Sequence, residues 1–483
     1  MSPLNEPLIR AAKIAPAGVL LALGACAAGP DFVRPPPPTT PVYSHAQLPT
    51  LAAAGLTLQA GAPVRDWWTV FGSQRLNDTM QLALQGNRDL AAAQQTLAQA
   101  AELARASTGD EWPALSLDAS AGRQKLGAAA LGGNFKVPPF TYFSIGPSVS
   151  YTLDFAGGVR RNVEAASARV DYQGYQLDAA YLTLTGNVAL QALRIALARA
   201  QIDTVQALLK EDERNAQLVQ SAFDAGSVTR VDVLSAQSQT ANDQVLLPPL
   251  LQELSAARHA LGVLVGRFPA DWAPPDFDLA ELAGPASLPV SVPSELVHQR
   301  PDILAAEAQL HEATASLGVA TSNLYPRITL SATASMQSTT LGHLFDADSS
   351  AGGVLGSLTQ PIFNHGALRA RERAADAARQ AAVAHYEQTV LSSFGQVADL
   401  LEALEHDAQL VDAQQQAVDA AAANLDLTRK SYSAGNVGIL QMLDADRVNE
   451  QSQLGILRAR AQRYQDEMQL LLAMGGGATL PPD

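Results

Sequence analysis

The sequence is poor in several things that most functional classes require. It has a single cysteine, so no internal disulfide and no cysteine-based zinc site can form. Aromatic residues make up 5% of the 483 and charged residues 16%, while the hydrophobic share of 47% comes mostly from Ala and Leu. Long helices meeting through small residues suit that mixture better than a sheet-sandwich core. Basic residues are outnumbered, 32 against 47 acidic, for a net charge of −15. A nucleic-acid partner needs a basic footprint to neutralise phosphates, so none is expected. No window holds the ~20 uninterrupted apolar residues that a transmembrane helix takes. No GxSxG elbow, Walker A loop or HExxH stretch occurs, so no enzyme is expected. The eight histidines and six methionines are dispersed, which gives no support for a metal site. Glu405-His406-Asp407 looks like a ligand set, but adjacent helix positions do not face one point. That tripeptide therefore reads as a solvated helix face.

What is present begins at the N-terminus. Arg10 and Lys13 precede a short apolar run, Val19 to Leu23, followed by Gly24-Ala25-Cys26. A basic region, a short apolar core and small residues make a secretory signal over 1–25. Small residues ending in cysteine resemble a bacterial lipobox, which makes Cys26 the lipidated first residue of the mature chain. Its diacylglycerol and N-palmitoyl groups are then the only bound group expected; no other cofactor and no metal is. Ala27, rather than Asp, follows the cysteine, which resembles an outer-membrane address. Residues 26–65 read as a tether, with Pro35-Pro36-Pro37-Pro38 favouring an extended polyproline II spacer.

The rest of the chain repeats. Asn87-Arg88-Asp89-Leu90 matches Arg300-Pro301-Asp302-Ile303, and Trp112-Pro113-Ala114-Leu115 matches Tyr325-Pro326-Arg327-Ile328. Phe155-Ala156-Gly157-Gly158 matches Phe363-Asn364-His365-Gly366. Phe223-Asp224-Ala225-Gly226-Ser227-Val228 matches Tyr432-Ser433-Ala434-Gly435-Asn436-Val437. Landmarks in one order at nearly one spacing define two copies of a unit, 66–285 and 286–477, with a tail at 478–483.

Each copy reads as helix, two strands, very long helix, turn, long helix. The strands are placed at about 113–124, 140–155, 326–338 and 351–363, the last with the least regular pattern. Over 143–155, Phe143, Ile145, Val149, Tyr151, Leu153 and Phe155 alternate with small polar residues. One apolar and one small polar face over ~10 residues fits a barrel strand between lipid and a wet interior. From Val159 to Phe223 and from Ala367 to Tyr432 no proline interrupts a helical pattern. About 65 residues at ~1.5 Å rise span ~100 Å, too long for a compact domain. Their apolar positions step by three and four, as in Val383, Tyr386, Val390, Phe394, Val397, Leu401 and Leu404, the spacing of a coiled-coil seam. Gly226 and Gly435 end these helices and mark the tips of two helical hairpins. Four strands cannot close a membrane barrel, because ~8 is the smallest observed. Open edges cannot face lipid. Several copies must then share one barrel, eight strands from a dimer or twelve from a trimer.

These residues resemble the outer membrane factor family, the TolC-like and OprM-like exit ducts of tripartite efflux pumps, and within it the NodT-type lipoproteins. The resemblance rests on Cys26 with Gly29-Pro30-Asp31-Phe32, Trp67-Trp68 with Phe71, and Arg300-Pro301-Asp302-Ile303. It continues through Pro326-Arg327-Ile328-Thr329-Leu330, Tyr432-Ser433-Ala434-Gly435 and Leu443-Asp444-Ala445. It implies a mixed α/β membrane protein: a homotrimer with a twelve-stranded outer membrane β-barrel, four strands per chain, continued by a periplasmic helical tunnel. The implied function is a passive duct for small molecules such as drugs, fed by an inner membrane transporter of the resistance-nodulation-division type through a periplasmic adaptor. A type I secretion duct and a non-channel lipid-anchored scaffold are the alternatives. In the family Leu440, Asp444 and Arg447 match residues lining a closed periplasmic aperture, and their i, i+4, i+7 spacing puts them on one helix face. Asp232 is taken as a first-repeat relative of that gate. Gly226, Ser227, Gly435 and Asn436 at the tips are the expected adaptor-docking positions.

Overall fold

The computed structural model describes residues 27–43, 57–61, 65–125, 138–285 and 287–476. Cys26, the signal segment 1–25, the tail 478–483 and parts of the 26–65 tether lie outside the described residues. The elements in order are β1 (Thr57–Ala60), a 3₁₀ turn (Trp67–Phe71), α1 (Gln74–Gly86), α2 (Arg88–Gly109), β2 (Ala114–Gln124) and β3 (Phe140–Leu153). Then come α3 (Gly158–Asp224), α4 (Arg230–Gln244), α5 (Leu247–Leu264), β4 (Ser287–Val290) and α6 (Pro301–Ser322). The chain ends with β5 (Arg327–Ser338), β6 (Ser350–Thr359), α7 (Ala367–Ser433) and α8 (Ile439–Ala473). Both α3 and α7 have 67 residues, so the two uninterrupted helical patterns form as read. No helix among the described residues is long and apolar enough to cross a membrane.

The repeat landmarks fall on equivalent structural events. Asn87 and Arg300 immediately precede the 22-residue helices α2 and α6, and Trp112-Pro113 and Tyr325-Pro326 immediately precede β2 and β5. Two compact units nevertheless cut across the repeats. One consists of Met1–Pro35, Leu97–Tyr172 and Ala306–Tyr386; the other of Pro36–Thr96, Gln173–Ala305 and Glu387–Asp483. The reason is pairing between repeats: β3 of the first copy is hydrogen-bonded to β5 of the second.

In the first unit, four antiparallel strands run in the order β2-β3-β5-β6. Val149 pairs with Leu115 on one side and Ala332 on the other, and Ala332 pairs in turn with Val354. The β3–β5 ladder skips Gly146 and Pro147, where proline has no N–H to donate. Among the described residues β2 and β6 each have one free edge. Leu115, Leu117, Val354 and Leu358 are exposed. The fourth strand ends at Thr359, not at 363, because the next residues are Gln360 and Pro361 and the Gln360 amide turns to the carbonyls of Leu324 and Pro361. β3 stops at Leu153, two residues early, since Asp154 caps α3 by accepting from the amides of Val159 and Arg160, each at 2.9 Å.

Ala27–Pro35 is strapped onto the same unit. The Ala28 amide donates to the Ala156 carbonyl at 2.9 Å. Arg161, buried, holds Asp31 and Glu164. Phe32 stacks on His311 with ring centres 4.3 Å apart, and Arg34 pairs with Glu307 at 2.6 Å. Gly29 has φ +85°, and a Cβ there would lie 2.6 Å from the Gly318 Cα, so only glycine fits.

The second unit is built around a helical core. Trp67 and Trp68 are fully buried among Met80, Leu184, Val188, Ile195, Leu261 and Leu471. Trp67 Nε1 donates to Thr185 Oγ1 at 3.2 Å, which satisfies its one polar atom. Arg300 donates to the Ala473 carbonyl at 2.9 Å, to Gln396 and, through two nitrogens, to Asp302. Burial alone would raise the Asp302 carboxyl, but the bonds from Arg300 and the Ile303 amide hold it below its ordinary value. β1 and β4, each of four residues, form a parallel pair that no alternation in the sequence signals. The return arm of the first hairpin also differs from the single long helix expected. It breaks between Gln244 and Leu247, because Pro248 and Pro249 can enter only a first helical turn.

Replacing Trp67 with Ala removes a fully buried indole and leaves Thr185 with one partner fewer. A loss of about 3–5 kcal/mol is expected. It is read as a lower thermal midpoint of the detergent-extracted protein, and a midpoint equal to wild type would contradict the packing described.

Candidate functional site

Both hairpin tips are closed by the same backbone device. At the first, the Gly226 amide donates to the Phe223 carbonyl and the Ser227 amide to the Ala222 carbonyl, both at 2.8 Å. At the second, Gly435 donates to Tyr432 and Asn436 to Ser431, both at 2.9 Å. This pair of bonds ends a helix on a left-handed residue, and Gly226 and Gly435 have φ +75° and +76°. Gly226, Ser227, Gly435 and Asn436 are all exposed, and a Cβ at either glycine would meet no described atom within 4 Å.

Beyond the tips the two return arms start differently. Thr229 caps α4, and Asp232 completes a capping box: its carboxylate accepts from the Thr229 amide and hydroxyl, both at 2.7 Å. Those bonds hold its carboxyl below the ordinary aspartate range. Asp232, read from the sequence as a gate residue, is thus engaged by its own helix start. α8 begins at Gly438 with no side-chain cap.

The first turns of α8 have two chemically distinct faces. Ile439, Met442 and Leu443 are buried against Val219, Val233 and Ala236. On the other face Leu440 is 53% exposed, and the side chains of Asp444 and Arg447 are 66% and 44% exposed. Arg447 Nη2 donates to Asp444 Oδ1 at 2.7 Å. Such an exposed i, i+3 pair contributes at most about 1 kcal/mol. The structure therefore brings Leu440, Asp444 and Arg447 together on one open face, as their spacing predicts, and joins Asp444 to Arg447 within the chain.

Reasoning from the sequence missed the buried carboxylates. Asp212, Asp243, Asp446 and Glu450 are all buried. A signal existed. Val205, Asp212 and Val219 step by seven along α3, and Ile439, Met442, Asp446 and Glu450 step by three and four along α8, so acids occupy apolar seam positions. Glu405 and Asp407 are a related correction. Only His406 is exposed; its two neighbours are buried, Asp407 beside Asp466 of α8. Burial, then a hydrogen bond and charge from Asp466, raise the Asp407 carboxyl. No set of His, Cys, Asp and Glu among the described residues is arranged to hold a metal ion.

A sheet with two free edges, two very long helices and paired helical hairpins define an outer membrane channel subunit. The outer membrane efflux protein family matches residues 79–267 and again 292–476, and the chain belongs to that family. The probable outer membrane lipoprotein SilC of Salmonella typhimurium is 28% identical over 459 residues, 95% of this chain and 97% of its own length. The pyoverdine export outer membrane protein OpmQ of Pseudomonas aeruginosa is 30% identical over 464 residues, 95% of each chain. The solved outer-membrane channel OprN superimposes with a TM-score of 0.85 at 27% identity, covering 94% of this chain and all of that one. The protein is an efflux channel component of the outer membrane, and a scaffold without a pore does not describe it.

Thr229→Ala removes one half of the capping box. Amide exchange over residues 230–233 should quicken about fivefold, the equivalent of the ~1 kcal/mol that a lost threonine cap costs. Because Asp232 has a depressed pKa, its part of the cap is fully present above the ordinary aspartate range. That part is lost only as pH falls through the depressed value. Protection that is instead lost as pH rises into the alkaline range would contradict this assignment.

Proposed function

We propose that three copies close a twelve-stranded barrel and form the passive exit duct of a tripartite efflux pump for small molecules. The observation that carries this is the four-stranded sheet with β2 and β6 unpaired on their outer sides. Unpaired backbone groups cannot face lipid, so β6 of one copy must meet β2 of the next. No energy-coupling motif occurs in the sequence, so the driving force comes from an inner membrane transporter, of the resistance-nodulation-division type in this reading. A periplasmic adaptor docks around Gly226, Ser227, Gly435 and Asn436. Cys26 bears the diacylglycerol and palmitoyl groups that tether each copy to the membrane, in keeping with the lipoprotein name of SilC. The export named for OpmQ fits a small-molecule cargo, which the transporter rather than the duct selects.

The gate in this reading is the open face of α8. Around a three-fold axis, three copies of Asp444 approach one another, and rings of carboxylate favour cations while rings of leucine shut by dewetting. Arg447 restrains each Asp444. Adaptor binding opens the aperture by stabilising its dilated state over the closed one.

Planar-bilayer conductance of the purified wild type beside the Asp444→Ala, Arg447→Ala double variant tests both parts. Small wild-type currents and several-fold larger variant currents are expected. Equal currents would remove these residues from the gate, and silence from both, with insertion confirmed, would refute the duct.

A further inference from the structure

The buried carboxylates missed by the sequence reading gather where helices of both hairpins meet. Asp212 on α3, Asp243 on α4 and Asp446 and Glu450 on α8 are 3%, 5%, 5% and 4% exposed. Asp212 and Asp243 lie within hydrogen-bonding reach of each other. Gln239 donates to Asp243 Oδ2 at 2.8 Å and Asn215 to Asp446 Oδ2 at 3.4 Å. Arg429, on α7, reaches Asp446 and Glu211, each at 3.3 Å. Arg447 also acts on Glu450, but it is half exposed and already bonded to Asp444. After these contacts, Asp212 Oδ2 and Glu450 Oε1 have no donor among the described residues, although both residues are more than nine-tenths buried.

Charge counting makes that arrangement untenable without protons. Asp212, Asp243, Asp446, Glu450 and Glu211 face Arg429, the outward-lying Arg447 and the exposed Arg214, which reaches only Glu211, at 3.8 Å. A buried carboxylate without a donor is costly to keep ionised. Two carboxylates in hydrogen-bond contact cannot both be ionised, since the bond itself needs a proton. The orphan oxygens of Asp212 and Glu450 mark where such protons sit.

We propose that this cluster is a proton-held latch: protons shared among Asp212, Asp243, Asp446 and Glu450 bind the first turns of α8 to α3 and α4, and losing them frees α8. The inference goes beyond the duct and its gate, and rests on that reading only for the consequence that α8 carries Leu440, Asp444 and Arg447.

The direction follows from the environment. Burial first, and then the bond and charge of Asp243, raise the Asp212 carboxyl. Burial, followed by the charges of Asp243 and Asp446, pushes Glu450 up to about 7. Burial raises Asp446 as well, against the pull of Arg429. Packed helices thus hold more protons than separated ones. The latch is complete below the ordinary carboxylate range and weakens as pH rises through the raised values, near neutrality for Glu450. Each proton released makes the freed state up to about tenfold more populated per pH unit.

Amide exchange of the full-length, detergent-extracted protein tests this, with rates expressed as protection over the intrinsic rate from pH 5.5 to 8.5. Protection of residues 439–450 should fall up to about tenfold per pH unit per proton above neutrality, while residues 184–198 in the main core stay constant. In the Asp212→Asn, Glu450→Gln double variant the same segment should lose most of that pH dependence. Should the double variant not fold, Glu450→Gln alone must reduce the slope. A flat wild-type profile, or an undiminished slope in the variant, would overturn the latch. So would recovery of protection at pH 8 on adding Ca²⁺ or Mg²⁺, which would make the occupant a metal cation. Bilayer conductance of the same samples reports the pore separately, so the duct and the latch fail independently.

Discussion

Unpaired backbone at the edges of a small sheet is the constraint from which the other features follow. β2 and β6 each present one row of N–H and C=O groups to whatever lies outside the chain. In water such edges are tolerable; in hydrocarbon each unsatisfied group costs several kcal/mol. The exposed leucines and valines of β2 and β6 are consistent with a lipid environment, and the small polar residues between them with a wet interior. A chain that supplies four strands and belongs to an outer membrane efflux family can satisfy both conditions only by sharing its barrel.

The same logic applies to the hairpins. α8 buries one face against its own chain and leaves Leu440, Asp444 and Arg447 open on the other. A monomer gains nothing from displaying them, whereas the ring of copies proposed above would give that face a partner. Inside the hairpins the chain accepts buried acids where leucine would pack better. That sacrifice of stability makes physical sense where packing has to respond to conditions rather than be permanent.

Most of this was legible in the sequence because it rests on periodicity and on residues with narrow conformational roles. Uninterrupted helical spacing without proline located α3 and α7 to within a residue at either end. Gly226 and Gly435 located the tips because few residues tolerate a left-handed helix end. Other features depend on contacts between distant segments, which no local pattern encodes. The β1–β4 pair joins residues more than two hundred positions apart, and each strand is too short to show alternation. The part Asp232 plays in capping α4 shows only in its bonds to Thr229. The short fourth strand and the broken first return arm were readable at Pro361 and at Pro248-Pro249, had the missing N–H groups been weighed against the surrounding pattern.

Native mass spectrometry of the gently extracted protein tests the shared barrel most directly. Three copies per particle, dissociating to single chains only as heat resistance is lost, is the predicted result. A stable, detergent-bound single chain with β2 and β6 amides protected from exchange would show that one copy can satisfy its own edges, and would contradict the account.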